Sequence, residues 1–370
     1  MLLQINVMLS QYLISEKIEG TFESHTIGFS INIYNNELNQ DVKIALLGLA
    51  DFNDSTPFSV ANSIRNEFYQ LSATPIFNKS VLDLGNLIPG ESDSDTHFAL
   101  GSILKELFSK NVIPVIINAN YDSASIMFEE LSHWKKPIEM AYVSSNMPMQ
   151  NGQFLYEAIN SKKVDLLNLS SVGVQGHRIH PKALQSISDM GFNTLRLGTL
   201  TSEIEESEIL LRNADTTLIN LDVLKMQESP GCINAGPTGI TSENACQIGW
   251  YAGLSDTLKA FSLLGYNVLK DVDAITAKLM GQLIWYFIDG VAHRKQDHPK
   301  LHQEFTKYRC TFDNKHPDIL FYKSKLTSRW WMEIDNISSK TIMPCLYSDY
   351  QQATKGDMPD RYLNALQRIR

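Results

Sequence analysis

Ile113-Pro-Val-Ile-Ile-Asn-Ala-Asn-Tyr-Asp-Ser-Ala124 runs from a wholly apolar stretch into small polar residues. Residues 112–117 read as a strand buried on both faces, because no position alternates to a polar side chain. The polar tail then marks the carboxyl end of that strand. In open parallel sheets, ligand sites lie beyond such ends. The stretch therefore sets the fold class and points to where a site belongs.

The same grammar extends in both directions. Residues 43–50 are a near-continuous apolar run, and residues 81–85 a short strand. Residues 59–70 fit a helix, with Val60, Ile64 and Phe68 spaced at four. Between residues 95 and 110, Phe98, Ile103, Leu104, Leu107 and Phe108 form a helical stripe. Downstream, strands are expected at 138–143, 166–174, 193–197 and 216–223, with another near Tyr266. Pro181 opens a helix that Gly191 closes. Helices are also expected at 242–252 and, as the longest, 274–292. Alternation of this kind implies βαβ units. The fold class is α/β, a three-layer α-β-α arrangement around a mostly parallel sheet. Residues 1–40 are assigned to an N-terminal packing segment, 41–293 to the α/β domain and 294–370 to a C-terminal extension. That extension is expected to pack on the domain or on a neighbouring subunit. In it, 318–323 and 329–334 look extended, and 360–369 looks like a short amphipathic helix.

Composition narrows the functional classes. The formal charge is −9 and no run of lysine and arginine offsets it, so nucleic acid is not an expected partner. No stretch approaches about 18 consecutive apolar residues, so no membrane span is expected. Residues 1–10 lack a basic leader region and read as a packing segment, not a signal peptide. Cys232, Cys246, Cys310 and Cys345 form no Cys-x-x-Cys pair. Their sparseness suggests free thiols and a cytoplasmic setting. The Walker phosphate loop, Gly-x-Gly-x-x-Gly, Gly-x-Ser-x-Gly and His-Glu-x-x-His are all absent.

The order of motifs over residues 40–290 resembles the ureohydrolases, the family of arginase, agmatinase and formimidoylglutamase. Asp83-Leu-Gly85 resembles a family strand reading Asp-x-Gly. Asn118 and Ala119 stand where the family has a Gly-Gly pair, and Tyr121 where it has a manganese-binding His. Ala141-Tyr-Val-Ser-Ser-Asn-Met-Pro148 is similar to the strand ending in Asp-Ala-His-x-Asp, with Ser144, Asn146 and Pro148 at the ligand positions. Gly173-Val-Gln175 followed by Pro181 resembles a further family strand and helix. Thr217-Leu-Ile-Asn-Leu-Asp-Val-Leu224 resembles Ser-x-Asp-x-Asp, with Asp222 at the first ligand and Leu224 at the second. Asn234-Ala-Gly-Pro-Thr-Gly-Ile-Thr241 resembles the loop ending in Gly-Leu-Thr. Tyr251-Ala-Gly-Leu-Ser-Asp256 and Thr276-Ala277 look closest to formimidoylglutamases.

The resemblance implies a manganese-dependent hydrolase of linear amidines, but of six ligand positions only Asp222 is kept. Two divalent cations about 4 Å apart repel by roughly 17 kcal/mol at an effective dielectric of 20. One aspartate does not offset that, so manganese is expected to be absent. The leading expectation is a non-catalytic relative, binding a small polar ligand or acting as an oligomeric partner. A pocket lined by Tyr121, Asp122, Ser144, Asn146 and Asp222 is expected, taking a small cationic amino-acid-like ligand; a homo-oligomer is also expected. The alternatives are an active C–N hydrolase with a rearranged site, drawing on Asp122, Asp222 and a distant histidine, and a purely structural protein.

Several residues admit two readings. Asp222 is either a residual site residue or a strand-end cap. Tyr121 and Asn146 either bind a ligand or fill the space a metal leaves. His177 and His180 form a weak metal pair or a surface loop. His293, His298 and His302 gather a metal or lie in a solvated segment, which their charged neighbours favour. Asp271 and Asp273 form a metal Asp-x-Asp, or Asp273 caps the helix that follows. Arg329-Trp-Trp-Met-Glu333 is either a binding surface or a packing element, one tryptophan on the domain and the other at a subunit contact.

Overall fold

The computed structural model describes residues 9–15, 18, 20–50, 59–135, 137–160, 164–300, 304–312, 317–335 and 340–369. Most of residues 1–10, and His302, lie outside them.

Among the described residues, ten strands form one sheet. In chain order they are β1 (Leu13–Ile14), β2 (Asn32–Ile33), β3 (Ile44–Gly48), β4 (Val81–Leu87), β5 (Ile113–Ala119), β6 (Ile138–Val143), β7 (Leu166–Val174), β8 (Asn193–Arg196), β9 (Thr216–Asn220) and β10 (Ala260–Leu264). The spatial order is β1-β4-β3-β5-β10-β9-β6-β7-β8, with β2 also on β4. Only β1 pairs antiparallel.

The apolar runs split residue by residue between two cores, because successive side chains of a strand leave opposite faces. Ile44, Leu46, Val115 and Ile117 face one layer, with Ile64, Phe68, Leu283 and Phe287 from helices. Ala45, Leu47 and Ile116 face the other, with Ile103, Leu107, Met127 and Leu131. The helices Ser59–Tyr69, Ser242–Gly253 and Ile275–Ala292 make the first layer. Asp93–Ser109 and Tyr121–Trp134 belong to the second. This is the three-layer α-β-α architecture expected from the sequence.

Two local expectations are corrected. The strand expected at 216–223 stops at Asn220, and Leu221–Val223 is a 3-10 turn. Asn220 ends it by accepting a hydrogen bond from the Asp222 amide at 3.1 Å. Asp273 does not cap the long helix. Its backbone is left-handed at φ 53°, and the cap is Asp271, which accepts from Thr276 N at 2.8 Å and Ala277 N at 2.9 Å.

A separate antiparallel sheet follows: β11 (Phe305–Cys310), β12 (Ile319–Ser324), β13 (Trp330–Asp335) and β14 (Lys340–Cys345). The helices Tyr347–Thr354 and Asp360–Ile369 close the chain. Both tryptophans are buried within the chain, which corrects the expectation that one would cover a subunit contact. Trp331 is 1% exposed and lies 4.9 Å beneath the Arg212 guanidinium. Trp330 stacks with Tyr308 and Tyr350. The connecting segment is not simply solvated, as its charges suggested. Asp297 is buried and accepts from Ser324 Oγ at 2.7 Å, and its amide donates to Asp256 at 2.9 Å. Arg294 donates to Gly253 O at 2.9 Å. The charges there join the two sheets, together with Arg212 to Trp330 O and Arg329 to Glu208.

Candidate functional site

β5, β10, β9 and β6 are successive neighbours in the sheet, so their carboxyl ends form one surface. β6 and β9 run side by side in parallel register, Val143 opposite Ile219. That register brings Ser144 and Ser145 against the turn holding Asp222. Ser144 Oγ donates to Asp222 Oδ1 at 2.8 Å, Ser145 N to the same oxygen at 3.2 Å, and Ser145 Oγ to Oδ2 at 3.0 Å. Tyr121, the first residue of the helix that follows β5, reaches across β10. Its hydroxyl lies 3.1 Å from that of Tyr142 and accepts from Asn220 Nδ2 at 3.2 Å. Gly265 makes room for this bridge: at φ 90°, a Cβ there would sit 2.6 Å from Asn220 Oδ1. Asn118 supplies the left-handed bend at the end of β5, with φ 61°, and donates Nδ2 to Leu49 O at 3.3 Å.

Burial raises the Asp222 carboxyl above its usual range, and the Ser144 and Ser145 hydrogen bonds and the field of Arg178 partly oppose this. Burial also raises Tyr121 and Tyr142. Neither phenol is a ready anion or metal ligand at neutral pH. Cys232 is buried, and its thiol is pushed up to about 11, first by burial. It is not an activated nucleophile, which would need a depressed pKa and access.

The residues singled out from the sequence fall into three groups. Ser144, Asp222 and Tyr121 join one hydrogen-bonded patch, with Ser145, Tyr142 and Asn220. Asn146 is exposed at its edge, its Oδ1 accepting from Met147 N at 2.8 Å. Asp122 lines a different cavity of about 200 Å3, with Asp93, His97 and Asn120. Ser145 and Tyr142 were not marked as site residues. The tandem Ser-Ser at a strand end was the available signal for Ser145. Tyr142 carried none, since a tyrosine inside an apolar strand reads as core. His177 is exposed in a 3-10 turn, and His180 caps the helix Pro181–Asp189 by accepting from Lys182 N at 3.2 Å. His293 accompanies Asp289 on the long helix, and the His298 ring lies edge-on to Trp331.

No protein-family model matches the sequence, and no curated protein matches it. Solved structures do match. Formimidoylglutamase from Bacillus subtilis superposes with a TM-score of 0.66 at 13% identity, covering 76% of this chain and 97% of that one. Trypanosoma cruzi formiminoglutamase with Mn2+ gives 0.63 at 14%, covering 73% and 99%. Proclavaminate amidino hydrolase from Streptomyces clavuligerus gives 0.59 at 14%, covering 73% and 97%. The fold is that of the arginase-like ureohydrolases. Identities this low establish the fold alone.

A ureohydrolase manganese pair does not fit these residues. Pro148 and Leu224 are buried and offer no side-chain donor. Tyr121 is a phenol engaged with two neighbours, and both Asp222 oxygens already accept hydrogen bonds from the chain. A binuclear site needs several carboxylate and imidazole ligands on one centre. Among the described residues, no group of three or more His, Cys, Asp or Glu is placed to hold a metal ion. Among them, too, no helix is long and apolar enough to cross a membrane.

Proposed function

We propose that this chain is a non-catalytic ureohydrolase-fold protein that works through binding or assembly. The observation that carries this reading is the Asp222 carboxylate, satisfied by Ser144 and Ser145 at 2.8 to 3.2 Å where a metal would have to compete. Without a metal-bound hydroxide, attack on an amidine at neutral pH lacks its nucleophile. A finer reading follows from the same carboxylate. A small cationic amino-acid-like molecule would approach past Tyr121 and Asn146 towards Asp222 and Ser144, with Asp122 contributing only from its neighbouring cavity. Arg178, whose field reaches Asp222, weakens the case for a cation. We further propose a cytoplasmic homo-oligomer with a core of residues 41–293, an N-terminal segment of residues 1–40 and an extension of residues 294–370.

Elemental analysis of protein purified after growth with added manganese is the direct test. The expected content is far below one ion per chain, with no urea, ammonia or formamide released from arginine, agmatine or formiminoglutamate. Two bound ions per chain would overturn the reading. Calorimetry with the same three compounds on wild type and Asp222→Ala tests the ligand: binding lost in the variant supports it, and no binding leaves assembly as the role. Light scattering then measures the oligomeric state.

A further inference from the structure

The opposite, amino ends of β6, β7 and β8 border a second concavity of about 400 Å3. Its floor comes from the sheet: Glu139, Asn168, Ser170 and Asn193. Its roof comes from the extension, with Ile334 of β13 and Ile342 and Met343 of β14. Ile209 and Leu210 form one wall, and Arg361 and Arg368 of the last helix form the other. The volume lies within the roughly 300–1,000 Å3 usual for small-molecule sites, and apolar walls with a few converging polar groups are their usual lining.

The polar groups are organised. Asn168 Nδ2 donates to Ser170 Oγ at 3.3 Å and to Glu139 Oε2 at 3.4 Å, and Asn193 Nδ2 donates to Ser170 Oγ at 3.4 Å. Arg368 Nη1 donates to Asn168 Oδ1. Arg361 is committed to Glu206 at 2.8 Å and Asp349 at 3.3 Å. The hydrogen-bonded neighbour of Arg368 is thus a neutral amide. The Glu139 carboxyl tempers it through its field, and burial, with Asp215 beside it, pushes that group up to about 7. Near neutrality the cavity therefore carries a permanent guanidinium charge that is only partly matched. A guanidinium recognises a planar carboxylate through two parallel N–H donors.

We propose that this junction cavity binds a small amphipathic monocarboxylate, its carboxylate on Arg368 and its hydrocarbon along Ile209, Leu210, Ile342 and Met343. Because floor and roof belong to different sheets, the ligand bridges the α/β core and the extension. Binding to the folded state alone raises thermal stability as RT ln(1 + L/Kd), where L is the free ligand concentration. A cation of the same shape meets the Arg368 guanidinium and is disfavoured.

The experiment is calorimetry and thermal melting of the full chain with hexanoate, hexylamine and hexanol, which share one hydrocarbon and differ in charge. Saturable one-site binding of hexanoate with a rise in Tm is expected, weakened at least tenfold in Arg368→Gln. Leu210→Phe, which fills the wall without touching the charge, should also abolish binding while keeping a wild-type melting profile. Leu269→Ser, 85% exposed and outside this lining, should bind hexanoate as wild type does. Equal binding by Arg368→Gln, or tighter binding of hexylamine or hexanol than of hexanoate, would overturn the proposal. So would an absence of hexanoate binding to the wild type.

Discussion

Asp83 on β4 and Asp222 beyond β9 are both buried carboxylates of one sheet, but a cation satisfies the first and neutral hydroxyls the second. Arg65 grips Asp83 with Nε at 2.8 Å and Nη2 at 3.1 Å, and Tyr69 adds a hydroxyl at 2.7 Å. The remaining Arg65 donors reach Gly85 O and Asn86 Oδ1. This is a closed structural network whose charges cancel inside it. Among the described residues no cation contacts the Asp222 carboxylate, and burial raises its pKa. Charge matching at the first position and its lack at the second separate a closed ion-paired network from a carboxylate held only by hydroxyls and an amide. The difference can be tested by removing one partner from each.

Arg65→Met should give the largest effect. It strands Asp83 in a core that is 2% exposed, and breaking a buried pair by deleting one member costs about 3–5 kcal/mol. Urea denaturation should show that loss at neutral pH. A loss below about 1 kcal/mol would mean that water or Tyr69 replaces the guanidinium, and the contrast with Asp222 would collapse.

Ser144→Ala with Ser145→Ala should come next. Hydrogen bonds to a charged group contribute about 1.5–3 kcal/mol each, net of the exchange with water. We expect a net loss of about 2–4 kcal/mol at neutral pH, with the Ser145 amide still in place. The pH dependence gives a sharper test. A carboxyl whose folded pKa is raised adds stability below its unfolded pKa and loses it as pH rises through the folded one. In wild type, Asp222 therefore lowers stability as pH climbs out of the carboxylate range. The double variant should raise that pKa further and move the fall to higher pH. Asp222→Asn should flatten the slope. An unchanged slope in Asp222→Asn would show that the carboxylate is solvated, not held by the serines.

These positions also show what the sequence could and could not convey. The two apolar cores were readable because uninterrupted apolar strands alternate with helices of fourfold spacing. That Tyr121, Ser144, Asn146, Pro148 and Leu224 carry no carboxylate or imidazole was readable from the sequence alone. The Ser145 contact was not, since it depends on β6 and β9 being neighbours although more than seventy residues separate Ser145 from Asp222. Asp122 sits one residue from Tyr121, yet it faces another cavity, because the helix Tyr121–Trp134 begins there and turns successive side chains apart. The extension was partly legible. Its two aromatic strands stood out, while β11, β14 and the helix Tyr347–Thr354 did not: β11 carries Thr306, Lys307 and Arg309, and β14 carries Pro344, which argues against a strand. The burial of Asp297 was hidden because a charge run reads as solvated until its partners arrive, Ser324 from a later strand and Thr327 from the turn after it.

The smallest expected effect lies at Asn118, where the backbone of the fold and the side chains of the site part company. Asn118 adopts φ 61° at the position where the ureohydrolase pattern has glycine. Asparagine tolerates the left-handed region better than most residues because its short amide can bond locally. Here that amide reaches Leu49 O on the neighbouring segment at 3.3 Å. Asn118→Gly should therefore be nearly neutral, within about 0.5 kcal/mol, since glycine removes the strain but also the hydrogen bond. Asn118→Ala keeps the strain and loses the bond, so it should cost about 1–2 kcal/mol. Thermal denaturation of the two variants at one pH resolves the difference. If alanine is tolerated as well as glycine, the bend at the end of β5 is not fixed by this residue, and the placement of Tyr121 over β10 must come from its contacts with Tyr142, Asn220 and Phe154 instead.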